Sequence, residues 1–351
     1  MNVGPFQIVT RRPFPWVAQA IELGQRCVCF GDGSRTLRCY DASDFNPFWA
    51  TALPEKLEGA LCRISGDGGI VLAQTHNILT SRGTLLRLDL ESGKVLWQAK
   101  LPRYSPRVPC VVGQYVFLAS DRRIHAYDAD SGRLLFQTDY VLASASLLHW
   151  QMTGELIAVD VRGSLVAFSS TSLELMRTFD LGLRNPEVFM VCDHHILVGK
   201  RDAGIHVFDA TQWKLERTYK VPAYSECLCD GDRAYVQTMQ DNVDGHRFGS
   251  FDRKSGDLMW EVAVPFDKQG PVHSPHPLFV RQGYLWIWDW DGPAPLYALS
   301  SDTGEVQRAY TTDIAQRIEP SCDPCLRPGR PFLANGKVYA SVADELWCLE
   351  S

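Results

Sequence analysis

The sequence has no long apolar run. No stretch of its 351 residues approaches the roughly 18 consecutive apolar residues of a membrane span. The first residues also lack the basic segment and following apolar segment of a secretory signal. These two absences predict a cytoplasmic protein without a membrane partner.

An excess of positive charge is also absent. Lysine and arginine together number 35, against 41 aspartate and glutamate residues, for a net charge of −6. Broad nucleic-acid binding requires a positively charged surface. A nucleic-acid partner is therefore not expected.

No catalytic signature is present either. The sequence lacks a Gly-x-Ser-x-Gly nucleophile turn, a phosphate-binding Walker loop, a His-Glu-x-x-His zinc motif and a strand followed by Gly-x-Gly-x-x-Gly. The expectation is a protein that is not an enzyme.

Cysteine is plentiful but does not suggest a disulfide framework. The 11 cysteines are odd in number, and most lie in apolar runs such as residues 26–30. Without an export signal, this usage predicts free, largely buried thiols in a reducing compartment.

One pattern recurs along the whole chain. A strand ends in an aromatic residue or leucine, an aspartate or serine follows, and a polar turn leads into a second strand. Successive copies are 39 to 50 residues apart, which is typical of a β-propeller with short strands and glycine turns. The clearest copies span residues 88–97, 127–136, 251–260 and 299–308, and the weaker ones begin at Tyr40, Phe168, Phe208 and Leu349.

These eight copies predict an all-β fold, an eight-bladed β-propeller of four-stranded antiparallel blades that occupies residues 1–351 as a single domain. The last copy stops before its fourth strand, and residues 1–13 contain a strand with no copy of its own. Pairing the two would close the ring and protect the sheet edges, so residues 1–13 are expected to close the last blade. Seven blades is the alternative, if the copy at Phe208 is not a full sheet.

The repeat resembles that of the pyrroloquinoline-quinone-like propellers, the family of the quinoprotein alcohol dehydrogenases and of an outer-membrane assembly lipoprotein. The shared features are the anchor residue, an aspartate, a Ser/Thr-Gly turn and a later tryptophan. The resemblance implies an eight-bladed fold and a protein-binding platform. It does not imply the quinone cofactor, because this chain has no adjacent cysteines and no evident calcium site. Four of the turns in this chain contain the glycine of the family's repeat: Gly93, Gly132, Gly256 and Gly304.

Most of the 20 prolines fall in the predicted connections between blades, which return to one face of the propeller. Proline stiffens such loops, and a stiff loop loses less entropy on binding. Arginine, tyrosine and tryptophan dominate protein interfaces. The residues expected to contact a partner on this loop-rich face are Trp16, Arg103, Tyr104, Arg107, Trp290, Arg317, Arg327 and Arg330.

Two long connections flank the seventh copy and carry a His-x-x-His and a Cys-x-x-Cys pair. Two imidazoles and two thiols would form a tetrahedral zinc set. Reduced thiols and solvent-facing histidines are the alternative, because spacing alone does not bring the two pairs together. The candidate zinc ligands are His273, His276, Cys322 and Cys325.

Two hypotheses follow for the function. The first is a non-catalytic, cofactor-free propeller that binds a partner protein through the loop-rich face, in the manner of a cognate inhibitor or immunity protein of a bacterial toxin. The second is an enzyme, or a protein that binds a small ligand or metal, using the central pocket.

Overall fold

The structure, a computed structural model, describes the greater part of the chain. The described residues are 7–14, 19–30, 35–53, 63–67, 70–77, 82–102, 109–150, 153–183, 188–200, 203–221, 227–241, 245–264, 276–288, 296–309, 331–342 and 345–350.

The described residues form β-strands and the turns between them. The strands, in chain order, are β1 (Gln7–Pro13), β2 (Gln19–Leu23), β3 (Arg26–Phe30), β4 (Thr36–Asp41), β5 (Pro47–Ala52), β6 (Arg63–Asp67), β7 (Ile70–Asn77), β8 (Arg82–Asp89), β9 (Val95–Leu101), β10 (Cys110–Val112), β11 (Tyr115–Ser120), β12 (Arg123–Asp128), β13 (Leu134–Gln137), β14 (Leu142–Trp150), β15 (Glu155–Asp160), β16 (Ser164–Ser169), β17 (Leu175–Asp180), β18 (Val188–Cys192), β19 (His195–Lys200), β20 (Gly204–Asp209), β21 (Lys214–Tyr219), β22 (Leu228–Asp230), β23 (Arg233–Asp241), β24 (Gly245–Asp252), β25 (Leu258–Val264), β26 (His276–Arg281), β27 (Tyr284–Trp288), β28 (Leu296–Ser300), β29 (Val306–Ala309), β30 (Phe332–Ala334), β31 (Lys337–Val342) and β32 (Glu345–Glu350).

These strands pair in eight four-stranded sheets within the described residues. Seven sheets are consecutive runs of four strands, from β2–β5 to β26–β29, and the eighth has the order β1-β32-β31-β30. The N-terminal strand therefore completes the sheet of the last repeat, which is the pairing that the sequence predicts. The repeat at Phe208 forms a full sheet, β18–β21.

The chain divides into two compact units. One comprises residues 9–182 and 328–349, and it holds the sheets β2–β5, β6–β9, β10–β13 and β14–β17 with most of β1-β32-β31-β30. The other comprises residues 183–327 with the terminal residues 1–8 and 350–351, and it holds the sheets β18–β21, β22–β25 and β26–β29.

In the sheets β10–β13, β14–β17 and β18–β21, the second and third strands are buried more deeply than the fourth. In the sheet β14–β17, for example, nearly every residue of β15 and β16 is buried on both faces, whereas β17 alternates between exposed and half-buried residues. Burial on both faces follows when a sheet packs between two others, and exposure of the fourth strand marks the sheet edge.

The antiparallel order gives every sheet two different ends. The turns between first and second strands and between third and fourth strands lie at one end, here called the turn end. The connections between second and third strands and those leading to the next sheet lie at the other, here called the loop end. Several turns at the turn end have the left-handed backbone expected of tight hairpins, including Gly113, Gly231 and Asn335–Gly336.

Two kinds of turn join the third strand to the fourth. In the first kind, which we call a glycine joint, the left-handed residue is glycine and an aromatic ring from the preceding sheet covers it. At Gly132, an added Cβ would lie 2.5 Å from the Trp97 ring. The indole Nε1 of Trp97 donates to the carbonyl of Ala129, 2.8 Å away, in the same turn. The glycine joints pair Trp49 with Gly93, Trp97 with Gly132, Tyr219 with Gly256, and Trp260 with Gly304.

In the second kind, which we call a filled joint, a large side chain occupies the left-handed position. Phe45, Leu173 and Trp213 have φ values of 53°, 56° and 53°. Leu173 is buried in one apolar cluster with Phe136 of the preceding sheet, at the place that a tryptophan occupies in a glycine joint. The turn itself therefore supplies the apolar side chain in a filled joint.

Candidate partner-binding surface

The site residues predicted from the sequence cannot be compared with one another in space. The only one within the described residues is His276, which opens β26 and of which the structure describes the backbone alone. The structure therefore neither brings the predicted zinc ligands together nor separates them. The predicted residues outside the described ranges are Trp16, Arg103, Tyr104, Arg107, His273, Trp290, Arg317, Cys322, Cys325, Arg327 and Arg330.

No metal site appears elsewhere in what the structure describes. Among these residues, no group of three or more histidine, cysteine, aspartate or glutamate side chains is arranged to hold a metal ion. The same part of the chain contains no helix with the length and apolarity of a membrane crossing.

Four of the described cysteines are buried in apolar surroundings. Cys27, Cys29, Cys39 and Cys348 are buried in the apolar clusters of the first and last sheets. Burial raises the pKa of Cys39 to about 12 and that of Cys27 further. Because the thiolate is the reactive form, these cysteines serve packing rather than chemistry.

The loop end is described in full between two neighbouring sheets, β10–β13 and β14–β17. A backbone N–H of Leu142 donates to the carbonyl of Arg122 at 2.8 Å, and Val161 donates to Val141 at 3.4 Å. A third bond, from Leu181 to Gly163, continues the series at 3.3 Å. The loop ends of these two sheets thus form one continuous backbone layer.

Two exposed valines lie at the centre of this layer. Val141 and Val161 keep 42% and 39% of their surface exposed, although most valines in the described sheets are buried. Arg122 and Arg162 flank the pair, one on each side along the series of backbone hydrogen bonds. We call these four residues the loop-end patch.

The arginines of the loop-end patch have no carboxylate partner among the described residues. Arg122 lies in a two-residue turn with positive φ at both Asp121 and Arg122, and its Nε donates to the carbonyl of Leu142 at 3.2 Å. The neighbouring Arg123 is different, because it forms an ion pair with Asp139 at 3.4 Å. The charged ends of Arg122 and Arg162 remain available to a ligand.

Buried polar contacts support the patch from below. The carboxylate of Asp160, only 2% exposed, accepts backbone N–H bonds from Arg162 at 2.9 Å and from Ser164 at 2.8 Å. It also accepts the Tyr140 hydroxyl at 2.9 Å. Burial and this hydrogen bond both raise the pKa of Tyr140, so the hydroxyl stays protonated and continues to donate.

Exposed apolar side chains surrounded by a polar rim are typical of protein interfaces, and arginine is enriched there. The loop-end patch has this composition. None of its four residues is a nucleophile. Sequence reasoning missed the patch because it concentrated on long, proline-rich connections, whereas the connection at residues 138–141 is short and contains no proline.

The fold is a β-propeller built from four-stranded antiparallel blades, and the resemblance to the pyrroloquinoline-quinone-like propellers predicted from the sequence is confirmed. The family model of the outer membrane protein assembly factor BamB matches residues 17–139 and 81–176. No curated protein matches the chain.

Two solved structures are similar over nearly the whole chain. BamB from Moraxella catarrhalis is 16% identical with a TM-score of 0.70, and the match covers 99% of this chain and 98% of that one. The computationally designed Ika8 protein is 11% identical with a TM-score of 0.67, covering 95% and 96%. At such identities the similarity establishes the fold alone.

Proposed function

We propose that this protein is a non-catalytic, cofactor-free propeller that binds a partner protein through the loop end of its sheets. The observation that carries the proposal is the loop-end patch, where Val141 and Val161 are exposed between Arg122 and Arg162. The patch is held on rigid turns, and a surface that is already ordered loses less entropy when a partner binds.

The similarity to BamB supports a role in protein binding at a coarser level, because that protein is described as an assembly factor.

The narrower proposal, a cognate inhibitor or immunity protein of a bacterial toxin, has only the propeller architecture and the net charge of −6 in its support. A cytoplasmic location is likewise a proposal that rests on the sequence. We further propose that each of the eight sheets is one blade of the propeller; seven blades is the alternative, and a rotational average from electron microscopy would distinguish them.

Affinity capture from the native cells, followed by mass spectrometry, tests the proposed function. Wild-type protein should retain one stoichiometric partner, and a Val141→Asp/Val161→Asp variant should lose it. Leu134→Asp is the control, because Leu134 is a similarly exposed apolar residue on β13, near the turn end of the neighbouring sheet β10–β13. Equal capture by the patch variant and the control would place the binding surface elsewhere.

The same preparations address the residues predicted from the sequence. A variant with Arg327 and Arg330 both changed to alanine tests their part in binding. Stoichiometric zinc in the purified protein, lost on Cys322→Ser, would favour the ligand-binding alternative over a partner-binding propeller.

A further inference from the structure

We propose that Tyr140 is a positioning residue whose hydrogen bond to Asp160 holds the loop-end patch as one rigid binding surface. The inference rests on the proposed function, because it assigns a role within the same surface. Tyr140 itself is half-buried, and the side chains offered to a partner are its neighbours.

Tyr140 is fixed at three points. Its ring packs edge-on against Phe168 of β16, with centroids 5.5 Å apart. Its hydroxyl donates to Oδ2 of Asp160 at 2.9 Å, and its backbone N–H donates to Thr138 Oγ1 at 3.0 Å. The connection between the two sheets is thus tied to the turn of the next sheet by one side chain.

Asp160 is the acceptor of the Tyr140 hydrogen bond. Oδ1 of Asp160 accepts both N–H bonds of the turn, from Arg162 and Ser164, so the carboxylate shapes the turn that carries Val161 and Arg162. Oδ2 is left for Tyr140. A single buried carboxylate therefore connects the segment of Val141 to the segment of Val161, and hydrogen bonds to a charged acceptor are stronger than those between neutral groups.

The direct contact between the two segments is weaker. The backbone bond from Val161 to Val141 measures 3.4 Å, beyond the usual range of about 2.7–3.2 Å. We therefore assign the spacing of the two valines mainly to the side-chain contact. The two segments also meet where Leu142 pairs with Asp160 in the β14–β15 ladder. Without the hydroxyl, Oδ2 of Asp160 would lose its donor, and beyond that pair only the long bond from Val161 to Val141 would hold the two valines in place.

The test removes one oxygen atom. In Tyr140→Phe, amide hydrogen exchange at residues 141, 161 and 162 should become about tenfold faster, and capture of the partner recovered with wild-type protein should weaken about tenfold, which is the usual size of a lost hydrogen bond to a charged group. Tyr115→Phe is the matched control, because its hydroxyl accepts a bond from Gln114 at the turn end of the adjacent sheet. Asp160→Asn should fall between wild type and Tyr140→Phe, since its amide oxygen can accept the turn bonds and its amide nitrogen can donate to Tyr140, but the charge of the acceptor is lost.

The outcomes separate this inference from the proposed function. If wild-type protein captures a partner and Tyr140→Phe captures it equally, the positioning role is wrong and the function stands. Unchanged exchange in Tyr140→Phe would also overturn the positioning role. If wild-type protein captures no partner, the proposed function fails first, and the inference fails with it.

Discussion

The joints at Gly132 and Leu173 belong to successive sheets, yet the space between the turn and the preceding sheet is filled differently in the two. At Gly132, the Trp97 ring comes from the preceding sheet and bonds to the turn through Ala129. At Leu173, the turn supplies its own side chain, and the preceding sheet contributes the smaller Phe136. The residue in the left-handed position thus decides whether the turn adds an apolar side chain of its own to the contact with the preceding sheet.

The comparison also shows why a non-glycine residue is tolerated there. A left-handed backbone at leucine costs on the order of 1 kcal/mol of free energy of unfolding. Burial of a leucine side chain contributes about 1.5–3 kcal/mol. The filled joint is stable because the burial exceeds the strain.

The largest effect is expected from Trp97→Ala, which removes a buried indole from a glycine joint. The free energy of unfolding should fall by about 3–5 kcal/mol, whereas Trp97→Phe should lose about 1–2 kcal/mol, chiefly the bond to Ala129. Denaturant unfolding measures both. Equal losses would mean that the ring itself does not hold the joint.

A smaller loss is expected from Gly132→Ala. The new Cβ would press on the Trp97 ring and would also strain the backbone, where φ is 69°, for a total of about 2–4 kcal/mol. Gly113→Ala is the control, since its φ is 57° and no atom lies within 4 Å, so only the strain of about 1 kcal/mol should remain. In a background with Trp97→Ala, the two glycine substitutions should cost the same; a persisting difference would exclude steric contact with the ring as the cause.

Leu173→Gly should destabilise less, by about 1–3 kcal/mol. It removes a buried side chain but relieves the left-handed strain, and the two effects partly cancel. Asn335→Gly changes a left-handed residue that is exposed, so its free energy of unfolding should stay within about 0.5 kcal/mol of wild type. A gain of stability in Leu173→Gly would show that strain outweighs burial in the filled joint.

The smallest effect is expected in the pH dependence of the stability. In the Gly132 turn, the Ser131 hydroxyl and N–H donate to Asp128 at 2.6 and 2.7 Å, and these bonds lower the pKa of that carboxyl. The turn should therefore contribute its full stability above the ordinary aspartate pKa of about 4 and lose it as the pH falls through the lowered value. Ser131→Ala should flatten the pH dependence of the unfolding midpoint below about pH 4. An unchanged profile would contradict this assignment.

The repeat made the fold predictable. Its anchors, turns and spacing indicated four-stranded antiparallel units, and the unpaired strand within residues 1–13 indicated the pairing of β1 with β32. Spacing could not show how far the fourth strands extend: β9 continues four residues past Trp97 to Leu101, and β25 continues equally far past Trp260. That length depends on pairing with the third strand.

The binding surface was less predictable. A sequence marks long loops by their prolines, but it does not show which short turns of separate repeats meet. Val141 and Val161 are 20 residues apart in the sequence, and the pairing of β14 with β15, continued by the bond from Val161 to Val141, brings them together. The filled joints were missed for a similar reason, because Phe45, Leu173 and Trp213 look like imperfect copies of a glycine turn until their backbone is seen.

Photo-crosslinking in the native cells tests the central claim most directly. A photoreactive amino acid would replace Val161 in the loop-end patch or, in a second variant, Gln114 at the turn end of the neighbouring sheet. A single protein adduct from position 161, with none from position 114, is the predicted result. Adducts from position 114 alone, or none from either position, would contradict a partner-binding role for the loop end.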